Sequence, residues 1–430
     1  MCSPGLLWSA RDCSVRRKQK YETRGIKGGR PLDLGNVETL CSSFKNGVKI
    51  RTIDLPTQYH VLHSSLHINL RLREDVYKHP QLALQLRRDV HDFISRGKHY
   101  YLLPCIPIPG HSQKLPSNIS YTLLPMITAR KVNFFSRGIT VVGDLYIPDT
   151  AAPNCKSASI VVGHPGTGVK EQASGLYARC LAERGFVALA FDAVYQGESG
   201  GEPRYLEDPY QRAEDFKSAV TFLSTLGHEV DPERIGSVRI CASGGYSIFA
   251  AQTDLRLKAV ATVCGVCWGF MTREGMKNSL GTINQEVLQQ GLTYAGNERI
   301  AEAKGGQPAT IAILEHFEEA KACYKDPQWE HPRCPNLQLA RSLDMLATYN
   351  SFAFIDWISP RPLLMIIGSE ADKGDGGQAD TGFYSRMAIE RAKEPKELLV
   401  IKGKGHLDLY RDTAESIPKL VEFMDKSSCT

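Results

Sequence analysis

The segment from Arg239 to Ala251, RICASGGYSIFAA, restricts this chain more than any other stretch. It reads as an apolar strand, a tight turn and then a helix of small residues. That succession is what a nucleophile elbow requires: a reactive side chain on a strained strand-to-helix turn, with small residues two before and two after it because the backbones crowd there. With Ser243 as the nucleophile, Cys241 and Gly245 fill the two crowded places. S-G-G is also an ordinary glycine-rich turn between a core strand and a core helix, so the rest of the chain has to decide.

Around this segment the chain alternates strand and helix signals, the pattern of a mostly parallel sheet with helices on both faces. Ser159–Gly163, Phe186–Phe191, Ile235–Cys241, Leu257–Cys264, Arg361–Gly368 and Glu397–Lys402 read as buried strands. Lys131–Phe135 and Ile139–Ile147 flank Ser136-Arg137-Gly138 and read as a hairpin that opens the sheet. Asp208-Pro209 gives an N-cap and a first-turn proline to a helix with Ala213, Phe216, Val220 and Leu223 on its apolar face. Residues 119–267 and 355–430 are therefore expected to form the core. The long insertion at 268–354 is expected to be a helical lid that builds the substrate pocket.

The net charge of +5 hides an asymmetry. Residues 1–118 carry 19 Lys and Arg against 9 Asp and Glu, so the basic character belongs to an N-terminal extension and not to the core. A Lys/Arg-rich leader without interleaved aromatics does not describe a nucleic-acid-binding face. His60, His63 and His67 fall at helical spacing, but no carboxylate or cysteine completes a metal set and the flanking residues favour extended chain. No apolar run approaches the length of a membrane span. Twelve cysteines without paired spacing or a secretory signal suit reduced thiols, so a cytoplasmic location is expected. Cys264 and Cys267 end an apolar strand and read as core packing. Neither cofactor nor metal is expected: HPGTG at 164–168 lacks the spaced glycines or the Lys-Ser/Thr of a phosphate loop.

The only strict G-x-S-x-G match is Gly197–Gly201, yet Ser199 stands several residues beyond its strand, with Glu202-Pro203-Arg204 where an elbow needs a helix. Ser199 is expected on the rim of the site. Cys241 is the other rival, as a thiolate in the same elbow is chemically sound. It would put Arg239 at the crowded position two before the nucleophile, which argues for Ser243. A serine also needs a base held by a carboxylate. His406, in a glycine-rich loop after the last strand, is the expected base. The acid is expected just past the strand ending at Gly368, where Asp372 is the first choice, Asp375 the reserve, and Glu370 and Asp380 lie nearby. Gly244, with Gly166 and Thr167, is expected to supply the oxyanion N–H groups.

Together GHPGTGVKEQASGLYARCLAERGFVALAFDAVYQGESGGEPR, VDPERIGSVRICASGGY, AAQTD, GSEAD and GHLDLY resemble the α/β-hydrolase family that includes dienelactone-hydrolase-like proteins and the fungal polyketide transferases. The resemblance spans about residues 125–425. It implies the α/β-hydrolase fold, Ser243, Asp372 and His406 at the triad positions, and acyl chemistry through an acyl-enzyme. It further implies a small or carrier-bound polyketide-type acyl substrate, a polyketide synthase as partner, and a place in fungal secondary-metabolite or toxin biosynthesis. Residues 1–118 have no counterpart in the family, and Cys241 stands where the general hydrolase elbow has glycine. A Cys241-dependent enzyme and a non-catalytic binding protein of the same fold are the alternatives.

Overall fold

The computed structural model describes residues 127–148, 157–275, 283–314, 318–372 and 381–428, together with three short strands nearer the N-terminus. The chain divides into two compact units, Met1–Tyr121 and Thr122–Thr430. In the first, β1 (Thr39–Ser43), β2 (Lys49–Ile53) and β3 (Tyr100–Leu102) form an antiparallel sheet in that order. His60, His63 and His67 lie outside the described residues.

The second unit is built on eight strands, among the described residues: β4 (Ile127–Ser136), β5 (Ile139–Pro148), β6 (Ser159–Gly163), β7 (Val187–Phe191), β8 (Ile235–Ile240), β9 (Leu257–Val263), β12 (Leu363–Gly368) and β13 (Lys396–Ile401). Their order is β13-β12-β9-β8-β6-β7-β5-β4, parallel from β13 to β7, with β5 antiparallel to both β7 and β4. The hairpin between β4 and β5 turns at Arg137 and Gly138, both at positive φ, as a two-residue connection that follows the strand twist requires.

Helices cover both faces. They are α1 (Ala173–Ala182), α2 (Pro209–Ser224), α3 (Ala242–Ala251), α8 (Gly382–Arg391), the short α9 (Asp408–Arg411) and α10 (Ser416–Ser428). Asp208 caps α2 as its sequence foretells, its carboxylate accepting from the Tyr210 and Gln211 amides at 2.9 and 3.2 Å. Successive strand residues enter opposite core layers. Val161 of β6 and Met365 of β12 pack with α2 and α3 on one face, while Ile160, Val162, Leu364 and Ile366 pack with α1 and α10 on the other. This is why the strands read as unbroken apolar runs and not as alternation.

The insertion after β9 begins with α4 (Trp268–Glu274) and α5 (Gln285–Ala303). It continues through an antiparallel ribbon of β10 (Thr310–Ala312) and β11 (Leu337–Leu339), with α6 (Glu318–Tyr324) between them, and α7 (Ser342–Ala347). The ribbon is a strand component that the helix-rich composition does not reveal.

One buried ionic cluster fixes the loops at the carboxyl ends of β6 and β7. The Lys170 ammonium reaches Glu198 at 2.7 Å and Asp192 at 3.3 Å and also bonds Glu171, while Asp192 accepts the Lys170 and Glu198 amides. Arg333 of the insertion joins through Glu171. The carboxylates of Glu171, Asp192 and Glu198 converge closely enough to hold an ion, and the Lys170 ammonium is the cation among them. Burial pushes Asp192 up to about 6, opposed chiefly by Lys170. Removing that cation strands a buried carboxylate, so Lys170→Met is expected to lower unfolding stability by about 3–5 kcal/mol, read from urea denaturation.

Candidate active site

The elbow lies where β8 runs into α3. The residue in the strained conformation is Cys241, at φ 57° and ψ −124°, a region costly for a side chain with a Cβ and found where surrounding structure enforces it. Ser243, by contrast, sits inside the first turn of α3. Three backbone bonds enforce the strain. The Cys241 amide donates to Val263 O at 2.9 Å, and its carbonyl accepts from Gly244 at 2.8 Å and Val266 at 3.2 Å.

The crowding that argued against Cys241 is relieved from another strand. Arg239 is the register partner of Gly163 on β6, and a Cβ on Gly163 would stand 1.9 Å from the Arg239 guanidinium. The glycine supplies the space, so the residue two before Cys241 can be an arginine. Its guanidinium lies 3.6 Å over the Phe216 ring. On the other side, a Cβ on Gly244 would meet the Gly265 backbone at 2.7 Å, and one on Gly245 would meet Val266 O at 2.3 Å. Those two glycines admit α3 against the turn after β9.

The Cys241 thiol is pushed above the ordinary cysteine range by burial, which outweighs the opposing effect of the neighbouring Tyr410 hydroxyl and of the Ala242 and Gly166 backbone. The Ala242 and Gly166 backbone lies beside the sulfur, the residue after an elbow's nucleophile and the loop after an earlier strand being where hydrolase folds draw their oxyanion donors. Gly166 is one of the expected donors. Its lack of a side chain is required, because a Cβ would stand 2.1 Å from the Trp268 ring of α4. Gly244 is not placed for that task, since its amide is spent on the Cys241 carbonyl. Thr167, at φ 58°, instead ties the loop to the insertion: its hydroxyl accepts from Asn336 at 3.1 Å, and its carbonyl accepts the Cys334 thiol at 3.2 Å.

Ser243 has a different set of partners. Its hydroxyl is directed at the carbonyls of His164 and of Ile240, the latter at 3.1 Å, and it is 3 % exposed. It thus clamps the loop carrying Gly166 to the elbow helix. His164 stiffens the same loop. Its Nδ1 donates to Pro165 O at 2.7 Å, and its Nε2 accepts from the Ala193 amide and from Arg212, both at 3.1 Å. Burial and the Arg212 charge hold it neutral. Ser199 is also structural, donating to Asp192 O at 2.6 Å and accepting from the Val142 amide at 2.9 Å.

His406 follows β13 as expected. It is 8 % exposed, and loss of hydration lowers its pKa to about 4, so it is a neutral base at physiological pH. Its Nε2 lies 3.0 Å from the Tyr410 hydroxyl and its Nδ1 lies 2.7 Å from Thr381 Oγ1. Asp372 ends a 3-10 turn, Ser369–Asp372, directly after β12. The Asp372 side chain, and Asp375 and Asp380 entirely, lie outside the described residues. The structure therefore gathers Cys241, Tyr410, His406 and Gly166 and holds Ser243 apart. Tyr410 escaped sequence reasoning, although His406-x-x-x-Tyr410 in GHLDLY puts the two side chains one helical turn apart.

No family model matches the chain. An uncharacterized protein of Pseudomonas aeruginosa, PA2218, is 37 % identical over 321 residues, covering 71 % of this chain and 83 % of that one. Its crystal structure superposes with a TM-score of 0.63 over 74 % of this chain and 100 % of that one, at 33 % identity. The thiohydrolase aneE of Aspergillus aculeatus is 26 % identical, covering 55 % of this chain and 74 % of its own. The polyketide transferase grgF of a Penicillium species is 28 % identical, covering 56 % of this chain and 78 % of its own. A crystal structure of the α/β hydrolase GrgF shares the fold at a TM-score of 0.55, covering 70 % of this chain and 100 % of that one at 23 % identity.

The chain belongs to the α/β-hydrolase superfamily, in the family of these proteins. This hydrolase is an enzyme of the esterase, thioesterase or acyltransferase kind. Among its described residues no helix is long and apolar enough to cross a membrane.

The Ser243 clamp has a measurable consequence. In this hydrolase Ser243→Ala is expected to cost about 1 kcal/mol of stability, the usual net value of a buried hydroxyl bond, read from the urea midpoint. Alkylation of Cys241 by iodoacetamide, followed by peptide mapping, is expected to persist in that variant.

Proposed function

We propose that this hydrolase is a cysteine-dependent acyl enzyme in which Cys241, and not Ser243, attacks the carbonyl of an ester or thioester. The observation that carries the reading is the φ 57°, ψ −124° conformation of Cys241 at the end of β8, where an elbow exposes its nucleophile. His406 acts as the base, and the Ala242 and Gly166 amides receive the oxyanion. Water or an alcohol then resolves the thioester between Cys241 and the acyl group. The names of the thiohydrolase and polyketide transferase relatives support a polyketide-type acyl group as the cargo and secondary-metabolite biosynthesis as the setting. The insertion, through Trp268 against Gly166 and Asn336 against Thr167, makes one wall of the acyl site.

Thiol chemistry suits this environment. A neutral thiol held up by burial becomes nucleophilic when a base accepts its proton during attack. His406, depressed to about 4, stays unprotonated at any pH above that value.

Steady-state hydrolysis of a panel of acyl thioesters, with and without alcohol acceptors, tests the reading. Cys241→Ala is expected to abolish turnover, whereas Ser243→Ala is expected to retain kcat within about tenfold; the reverse ranking would assign the role to Ser243. Gly166→Ala, which drives a methyl group into Trp268, is expected to lower kcat by about 100-fold or more, as loss of an oxyanion donor does. The sign of the pH effect also follows. Because His406 titrates lower in the fold than in the unfolded chain, its contribution to stability is complete above about 6.5 and is lost as pH falls through about 4. The acid limb of kcat/KM is accordingly expected well below pH 6.

A further inference from the structure

His406 Nε2, the atom that would take the proton of the nucleophile, has the Tyr410 hydroxyl 3.0 Å away. The same residue packs in the cluster that Cys241 borders, its hydroxyl close enough to the thiol to perturb it. Tyr410 is 2 % exposed and lies on the short helix α9, four residues after His406, with the two rings 5.4 Å apart. A phenol thus stands between thiol and imidazole.

We propose that Tyr410 is a catalytic residue that relays the proton between Cys241 and His406, an inference that rests on Cys241 as the nucleophile. During attack the S–H bond breaks as the sulfur forms its bond to the carbonyl carbon, and the carbonyl electron pair moves to oxygen. The thiol proton passes to the Tyr410 oxygen while the phenolic proton passes to His406 Nε2. The phenol is neutral before and after, so no phenolate has to exist. On collapse the oxyanion re-forms the carbonyl, the bond to the leaving group breaks, and the proton returns from Nε2 through the phenol to the leaving oxygen or sulfur. The acceptor hydroxyl loses its proton along the same path in the second half-reaction.

The surroundings suit a relay better than an acid or base acting alone. The groups facing Tyr410 are Cys241 at the end of β8, Cys264 after β9, Tyr324 of α6 and His406 itself. The Tyr324 ring meets it edge-on at 6.4 Å, and the Cys264 thiol is occupied by the His406 carbonyl at 3.2 Å. None of these carries a charge at neutral pH that would hold a phenolate, and burial pushes the Tyr410 hydroxyl far above its ordinary range. Concerted transfer of two protons is the path left open to it.

The test uses the intact enzyme with an activated acyl thioester, following the Cys241 adduct by mass in a single turnover. In Tyr410→Phe the acylation rate is expected to fall by about 100-fold or more, the usual size of a lost proton-transfer group, with KM within about threefold. The pH midpoint for iodoacetamide alkylation of Cys241 is expected to rise. A proton inventory of wild-type acylation in H2O–D2O mixtures is expected to bow, as two protons in flight require. Acylation of Tyr410→Phe within threefold of wild type, faster acylation, or a linear inventory would overturn the relay. If Tyr410→Phe proves misfolded by circular dichroism, the inventory on the wild type decides alone. A wild-type enzyme that acquires no adduct at Cys241 would instead refute the nucleophile reading, so the two failures are separable.

Discussion

The architecture of the site depends on one strained residue. Cys241 can hold φ 57° only because β8 stops against β9 and α3 starts at once, so that its amide and carbonyl are both engaged by neighbouring backbone. An L-residue in that conformation costs of the order of 1–3 kcal/mol, which the packing of a parallel sheet buried on both faces offsets. The benefit is geometric. The turn lifts the thiol off the end of the sheet, toward the N–H groups of Ala242 and Gly166 and within reach of Tyr410.

The same constraint explains the residues around it. An elbow needs space on both sides of its turn, and this chain distributes that space among Gly163, Gly244 and Gly245. Gly163 belongs to β6, some eighty positions away in sequence. Ser243, His164 and Lys170 then fix the loops that face the thiol: Ser243 joins the Gly166 loop to α3, His164 stiffens that loop, and Lys170 anchors it to Asp192 and Glu198. These polar groups are buried, and their role is to hold the donors in place before a substrate arrives, which is how a preorganised site lowers a barrier.

The parallel sheet, the elbow segment, His406 and the Gly166 turn were legible in the sequence because each leaves a local trace: an apolar run, a strand-turn-helix succession, or glycines after a strand. Which residue of the elbow takes the strained turn conformation was not. Along the chain Arg239 breaks the rule that positions two away must be small, while the relief comes from Gly163 across the sheet at a register that only the fold reveals. Gly244 is the oxyanion donor that a Ser243 nucleophile implies, but its amide is engaged by the Cys241 carbonyl. Tyr410 left a trace in its spacing from His406, but its packing in the cluster that Cys241 borders depends on contacts that only the fold makes. The ribbon in the insertion was hidden because its strands are three residues each, too short for a period to emerge.

The most direct measurement of the central claim is the site of covalent attachment. After rapid acid quench of the wild-type enzyme with an activated acyl thioester, peptide mapping should find the acyl group on Cys241, as a thioester cleaved by neutral hydroxylamine. An acyl group on Ser243, stable to that treatment, would contradict the account.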